Sequence, residues 1–147
     1  MDEPTAMTDA RVAVFNAHAD TVAMLHLALQ HAGFETIDAP LHDFERGIAN
    51  ALAFLRIHEP DVVVYDVSPP YERTASFCCD LQEADDRRAW VITSTNPQKT
   101  ARDLRGRPEW YELIGKPYDL DHVVAAVQRA VRKTTEFRSH GSDPRSP

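Results

Sequence analysis

The chain has 147 residues, 43% of them apolar and 27% charged, with a formal net charge of −7 and a pI near 5.4. That length suits one domain with a sizeable core and excludes a second. The acidic balance excludes a nucleic-acid surface, which shows a basic stripe, because the longest Lys/Arg cluster is Arg132-Lys133.

No apolar run approaches the roughly 20 residues that span a bilayer, and Met1 to Ala10 has no apolar signal core. The expected location is therefore the cytoplasm, with no membrane partner. Cys78 and Cys79 are adjacent, which suits neither a disulfide framework nor the CxxC spacing of a zinc site. They read as reduced thiols on a helix, at least one of them buried.

Residues 1–10 (MDEPTAMTDA) are polar and non-periodic and read as a flexible leader. Arg11 to Phe15 reads as a short buried strand, and Asn16-Ala17-His18-Ala19-Asp20 as a turn. Val22, Leu25, Leu29 and Ala32 recur at helical spacing, Met24 and Leu27 widen that apolar face, and Gly33 follows as a C-cap. Phe34 to Ala39 forms a second strand. Phe44, Ile48, Ala51, Leu52 and Leu55 mark a second helix that ends near His58-Glu59-Pro60.

The centre of the chain is Asp61-Val62-Val63-Val64-Tyr65-Asp66, where three valines run into one carboxylate and then into Val67-Ser68-Pro69-Pro70. A β-branched run without polar alternation fits a strand covered on both faces. A helix carrying Phe77, Cys78 and Leu81 follows, ended by the polar stretch from Glu83 to Arg88. Ala89 to Ser94 is the fourth strand, Asn96-Pro97 opens a short helix through Leu104, and Glu109 to Ile114 is the fifth strand. Val123, Val124, Val127 and Val131 line a last helix over Leu120 to Arg132. Residues 134–147 have no pattern able to bury a core and read as a disordered tail, so the folded domain is expected over residues 11–133.

Five strands alternating with five helices imply an α/β fold with a parallel sheet flanked on both faces. The right-handed crossover rule leaves few topologies. A flavodoxin-like strand order 2-1-3-4-5 puts the ends of strands one and three side by side at the switch point where ligands bind. Those ends carry Asn16 and Asp66.

Over Arg11 to Arg132 the chain resembles the receiver domain of bacterial two-component response regulators. The residues carrying that resemblance are Asp66 in PDVVVYD with the VSPP loop after it, Ser94 at the end of the fourth strand, and Lys116-Pro117 after the fifth. The resemblance implies that Asp66 accepts a phosphoryl group from a histidine kinase, that the hydroxyl of Ser94 contacts it, and that Lys116 pairs with it. Thr93 and Thr95 flank Ser94, so the matching hydroxyl could be one position away. The chemistry agrees, because phosphoryl transfer needs an in-line nucleophile with positive charge and donors on the equatorial oxygens.

The family holds Mg²⁺ with two acidic residues after the first strand, the phosphoacceptor and a loop carbonyl. Here Asn16 and Ala17 stand where the acidic pair belongs. Mg²⁺ favours carboxylates, and each lost carboxylate at about 4 Å removes on the order of 4 kcal/mol of gross attraction at an effective dielectric near 20. At most a weak Mg²⁺ site through Asn16, Asp66 and the Ser68 carbonyl is expected. Asp20 is better placed to meet the positive end of the first helix than to replace the pair. Lys116 is expected to pair with Asp66 and hold the pocket in one state. Leu113 occupies the family's aromatic switch position, with Trp110 and Tyr111 upstream; Tyr118 matches the aromatic after the lysine; and the Pro69-Pro70 loop lacks the usual glycine and exposes Tyr71.

The expected function is that of a stand-alone, atypical receiver acting in signal transduction through a protein partner, with phosphorylation of Asp66 weak or absent. Lys99, Arg102, Arg105 and Arg107 would offer an acidic partner a small basic surface. The alternative is a working phosphoacceptor fed by a histidine kinase, in which self-catalysed phosphotransfer is the only enzymatic step. A flavodoxin-like nucleotide or flavin site is remote, since Asn16-Ala17-His18-Ala19 stands where a glycine-rich phosphate loop would be. No His is expected at a strand end opposite Ser94 or the cysteines, which disfavours a nucleophilic enzyme. A homodimer is compatible with such a module.

Overall fold

A computed structural model describes residues 10–44, 47–85, 88–104 and 111–139. The elements follow in the order β1 (Arg11–Asn16), α1 (Ala19–His31), β2 (Glu35–Pro40), a 3₁₀ turn (Leu41–Phe44), α2 (Ile48–His58), β3 (Val62–Val67), α3 (Tyr71–Ala84), β4 (Ala89–Ser94), α4 (Pro97–Asp103), β5 (Tyr111–Gly115) and α5 (Leu120–Ser139). All strands are parallel and lie in the order β2-β1-β3-β4-β5. The α/β class and the 2-1-3-4-5 order expected from the alternation are those observed.

Each strand of the centre feeds two cores because successive side chains point to opposite faces. Phe15, Val63, Tyr65, Val67, Trp90 and Ile92 pack on one face with Leu55, Cys78, Cys79 and Leu81 of α2 and α3. Val12, Val14, Val62, Val64 and Val91 pack on the other with Leu25 and Leu29 of α1 and Val123, Ala126 and Val127 of α5. All of β3 from Val62 to Val67 is buried, as the unbroken valine run requires. Both cysteines are free and buried.

Helix α1 stops in a Schellman motif. Gly33 adopts φ 101°, its N–H bonds to Gln30 O, and the Phe34 N–H bonds to Leu29 O. At the sheet's N-terminal edge, buried Arg88 acts as a clamp. Its guanidinium donates to Asp85 Oδ2 at 2.9 Å, to Pro60 O at 2.7 Å and to Leu55 O at 3.2 Å. It thereby joins the end of α2, the turn into β3 and the end of α3.

Four expectations differ from the structure. Phe44 belongs to the 3₁₀ turn, and α2 begins only at Ile48. Phe44 is still buried, with its ring centroid 5.5 Å from that of Phe15. Met24 and Leu27 do not widen a buried face: they are 51% and 68% exposed, because Leu25 and Leu29 already fill the stripe against the sheet. The final helix does not stop at Arg132 but continues through Ser139, so residues 134–139 are helical where a disordered tail is expected. Once the valine stripe seeds the helix, each added residue contributes a hydrogen bond, and Thr134 Oγ1 donates back to Ala130 O at 2.9 Å. The leader (1–9), the start of the expected fifth strand (Glu109, Trp110) and residues 140–147 lie outside the described residues. Among the described residues, no helix is long and apolar enough to cross a membrane.

Candidate functional site

The C-terminal ends of β1, β3, β4 and β5 converge on Asp66. Register explains which side chains meet there. In a parallel pair, laterally aligned residues share a face, and a step of one residue reverses it. Asp66 aligns with Thr93, whereas Val67 aligns with Ser94. Asp66 is 1% exposed. Its Oδ1 accepts from Thr93 Oγ1 at 2.7 Å and lies 2.7 Å from Lys116 Nζ. Burial makes this ion pair short and strong only because both partners are present. The other oxygen, Oδ2, is buried with no hydrogen-bond partner.

Lys116 arrives by continuation of β5. Its backbone N–H bonds to Ser94 O at 2.8 Å, which carries the strand register past Gly115 and aims the side chain back over the sheet edge. Tyr118 stands at the same rim; burial raises its pKa first, and the Asp66 carboxylate raises it further. Tyr65, next to Asp66 but on the opposite face, is also raised well above the ordinary tyrosine range, mainly by burial, with smaller contributions from Cys78, Asp66 and Cys79. Its hydroxyl donates to Thr74 O at 3.1 Å.

Ser94 does not meet Asp66. Its side chain points to the α4 face, where its Oγ lies 2.7 Å from Thr100 Oγ1 and accepts from the Asn96 N–H at 3.0 Å. The hydroxyl on Asp66 belongs to Thr93. Strand parity counted from Asp66 would have found it, because Thr93, and not Ser94, lies in register with the acid.

The expected Mg²⁺ donors were Asn16, Asp66 and the Ser68 carbonyl. Asn16 is buried at 3% exposure, and its Oδ1 accepts from the His18 N–H at 2.8 Å. The Ser68 carbonyl accepts from Thr74 Oγ1 at 2.7 Å. Asp66 Oδ1 is committed to Thr93 and Lys116, which leaves Oδ2 alone. Asp20 sits exposed in the first turn of α1, where the N-cap residue is His18; it suits the helix dipole and adds no acid to the pocket. Among the described residues, no group of three or more His, Cys, Asp or Glu side chains could hold a metal ion. A single carboxylate already neutralised by an ammonium does not fit a hard divalent cation.

Tyr71 is half-buried, not an exposed aromatic. Its ring packs on the core beneath α3, and its hydroxyl is hydrogen-bonded to Thr95 Oγ1. Leu113 packs against the same core, facing α4. Of the expected basic surface, Lys99 is paired at 3.4 Å with both Glu72 and Asp103. Arg102 is exposed, and Arg105 and Arg107 lie outside the described residues.

No family model and no curated protein sequence matches the chain. Solved structures do. The signal receiver domain of an HD domain-containing protein from Pseudomonas fluorescens Pf-5 is similar with a TM-score of 0.71 and 15% identity, over 88% of this chain and 99% of that one. A response regulator from Thermotoga maritima is similar with a TM-score of 0.65 and 21% identity, over 85% of this chain and 99% of that one. NtrX from Brucella abortus is similar with a TM-score of 0.69 and 20% identity over 94% of this chain. This chain spans only 28% of the NtrX chain in one structure and 30% in another. The fold is that of response-regulator receiver domains.

Proposed function

We propose that the chain is an atypical response-regulator receiver, a cytoplasmic signalling module that works through contacts with a protein partner and takes a phosphoryl group on Asp66 poorly or not at all. The observation that carries this reading is the buried pair between Asp66 Oδ1 and Lys116 Nζ at 2.7 Å, in a pocket where Asn16 and Ala17 supply no second carboxylate. The ammonium already provides the counter-charge that would otherwise be left to a metal. The pocket is therefore held in one arrangement, and the module presents a constant surface to its partner. The partner is a histidine kinase or a downstream signalling protein, not a nucleic acid or a membrane. The chain itself is not an enzyme.

A second reading, a working phosphoacceptor, is favoured by one observation. Asp66 Oδ2 has no hydrogen-bond partner, so one oxygen of the carboxylate is uncommitted as a nucleophile, with Thr93 and Lys116 beside it to meet the phosphoryl oxygens.

Intact mass after incubation with a small-molecule phosphodonor, with and without Mg²⁺ and beside Asp66→Asn, decides between them. The expected result is no gain of a phosphoryl group under either condition. A Mg²⁺-dependent gain that disappears in Asp66→Asn would establish the second reading.

A further inference from the structure

The rim of the pocket holds a contact that neither the ion pair nor the fold requires. Strands β3 and β4 are neighbours with Asp66 and Thr93 in register, and both chains leave the sheet over the same edge. Tyr71 opens α3 after the Pro69-Pro70 loop, and Thr95 lies in the loop from β4 to α4. The hydrogen bond between Tyr71 Oη and Thr95 Oγ1 spans the gap between the two loops. Glu72 and Lys99, each the neighbour of one of these segments on α3 and α4, bridge the same gap at 3.4 Å. Beneath this rim Asp66 is almost fully buried, whereas Pro69, Pro70 and Thr95 are exposed.

We propose that the Tyr71–Thr95 hydrogen bond is a latch across the mouth of the Asp66 pocket, controlling how often small reagents reach the Asp66 carboxylate. The two halves of the latch differ in a way that suits opening. The Tyr71 ring is anchored on the core, so its hydroxyl stays in place. Thr95 is exposed and can exchange its partner for water. The supporting Glu72–Lys99 pair is an exposed ion pair that contributes little and is screened by salt. The latch is therefore a single neutral hydrogen bond over a rigid floor formed by Asp66, Thr93 and Lys116. It concerns access to Asp66 and not its phosphorylation, so its test is independent of the phosphodonor experiment.

The test is carboxyl labelling of the full chain with a water-soluble carbodiimide and glycinamide, read by peptide mass spectrometry. The carbodiimide activates the carboxylate, and an amine then displaces it as the urea. The product at Asp66 is either the glycinamide adduct or an amide to Lys116, and both report the reagent's arrival. Tyr71→Phe and Thr95→Val each remove one hydroxyl and keep the side chain's shape. Each is expected to speed labelling of Asp66 about fivefold, the change in open population that loss of one ordinary neutral hydrogen bond produces. The double variant is expected to match the single ones, because all three lack the same bond. Wild-type rates in both single variants would overturn the latch. So would multiplying effects in the double variant, or an equal acceleration at Asp85, which is buried at the opposite edge of the sheet.

Discussion

Asp66 owes its setting to three residues from different strands, and the energetics turn on charge compensation with almost no water present. An unpaired buried carboxylate is costly, while a buried pair roughly offsets its own desolvation. Lys116→Met is therefore expected to destabilise the protein by about 3 kcal/mol, the lower end for breaking a buried pair, since the lysine side chain retains 20% exposure. Asp66→Asn should cost less. The double substitution Asp66→Asn/Lys116→Met should be more stable than Lys116→Met alone, as urea unfolding of the four chains would show. At this scale the sequence indicated the acid and the lysine through their places at strand ends. It pointed to Ser94 rather than Thr93 because a run of three hydroxyl residues gives no sign of which one shares Asp66's face. Only pairing between strands, set by hydrogen-bond register, decides that.

Among the elements, the strands were the most legible, because Val62 to Val64 and Trp90 to Ile92 are apolar without alternation and must be covered on both sides. Helix limits were less so. The apolar spacing of Phe44 with Ile48 also fits a 3₁₀ turn followed by a helix, and nothing local marks Thr134 as a point of continuation. Arg88 was read only as part of a polar terminator, yet it is the side chain that ties α2, β3 and α3 together. Arg88→Met should destabilise the chain by about 3 kcal/mol, because it removes the donors from two buried carbonyls and the cation from Asp85. Arg88→Lys should recover only part of that loss, since a single ammonium cannot reproduce the guanidinium fork. Thermal unfolding of the two variants would check both outcomes.

At the scale of the whole molecule, the two cores hold groups that resist losing their protons. Burial raises the pKa of Cys78 well above the ordinary thiol range. Tyr65 and Tyr118 are raised for the same first reason, with Asp66 adding to each. A group with a raised folded pKa keeps its proton after the unfolded chain has lost its own. The stability linked to it is complete below the unfolded pKa and is lost as pH rises toward the folded pKa. The urea midpoint should therefore owe no pH dependence to these groups near neutrality and should fall from about pH 9 upward, thiol first and tyrosines after. Tyr118→Phe should flatten the upper part of that fall, measured between about pH 10 and pH 11.

The α/β class, the five-strand alternation and the strand order could be derived from the chain alone, because covered strands, right-handed crossovers and a limited length admit few arrangements. The likeness to receiver domains was visible in Asp66, Lys116-Pro117 and the loop between them for the same reason: these residues sit where strands end, and strand ends are marked locally. What needed the tertiary structure was every relation across strands. That Thr93 and not Ser94 touches Asp66, that Asn16 spends its oxygen on its own turn, that Tyr71 reaches Thr95, and that Met24 and Leu27 face outward all depend on register and on which side chains fill a face first. Those are distances between segments far apart in the chain, and local composition does not encode them.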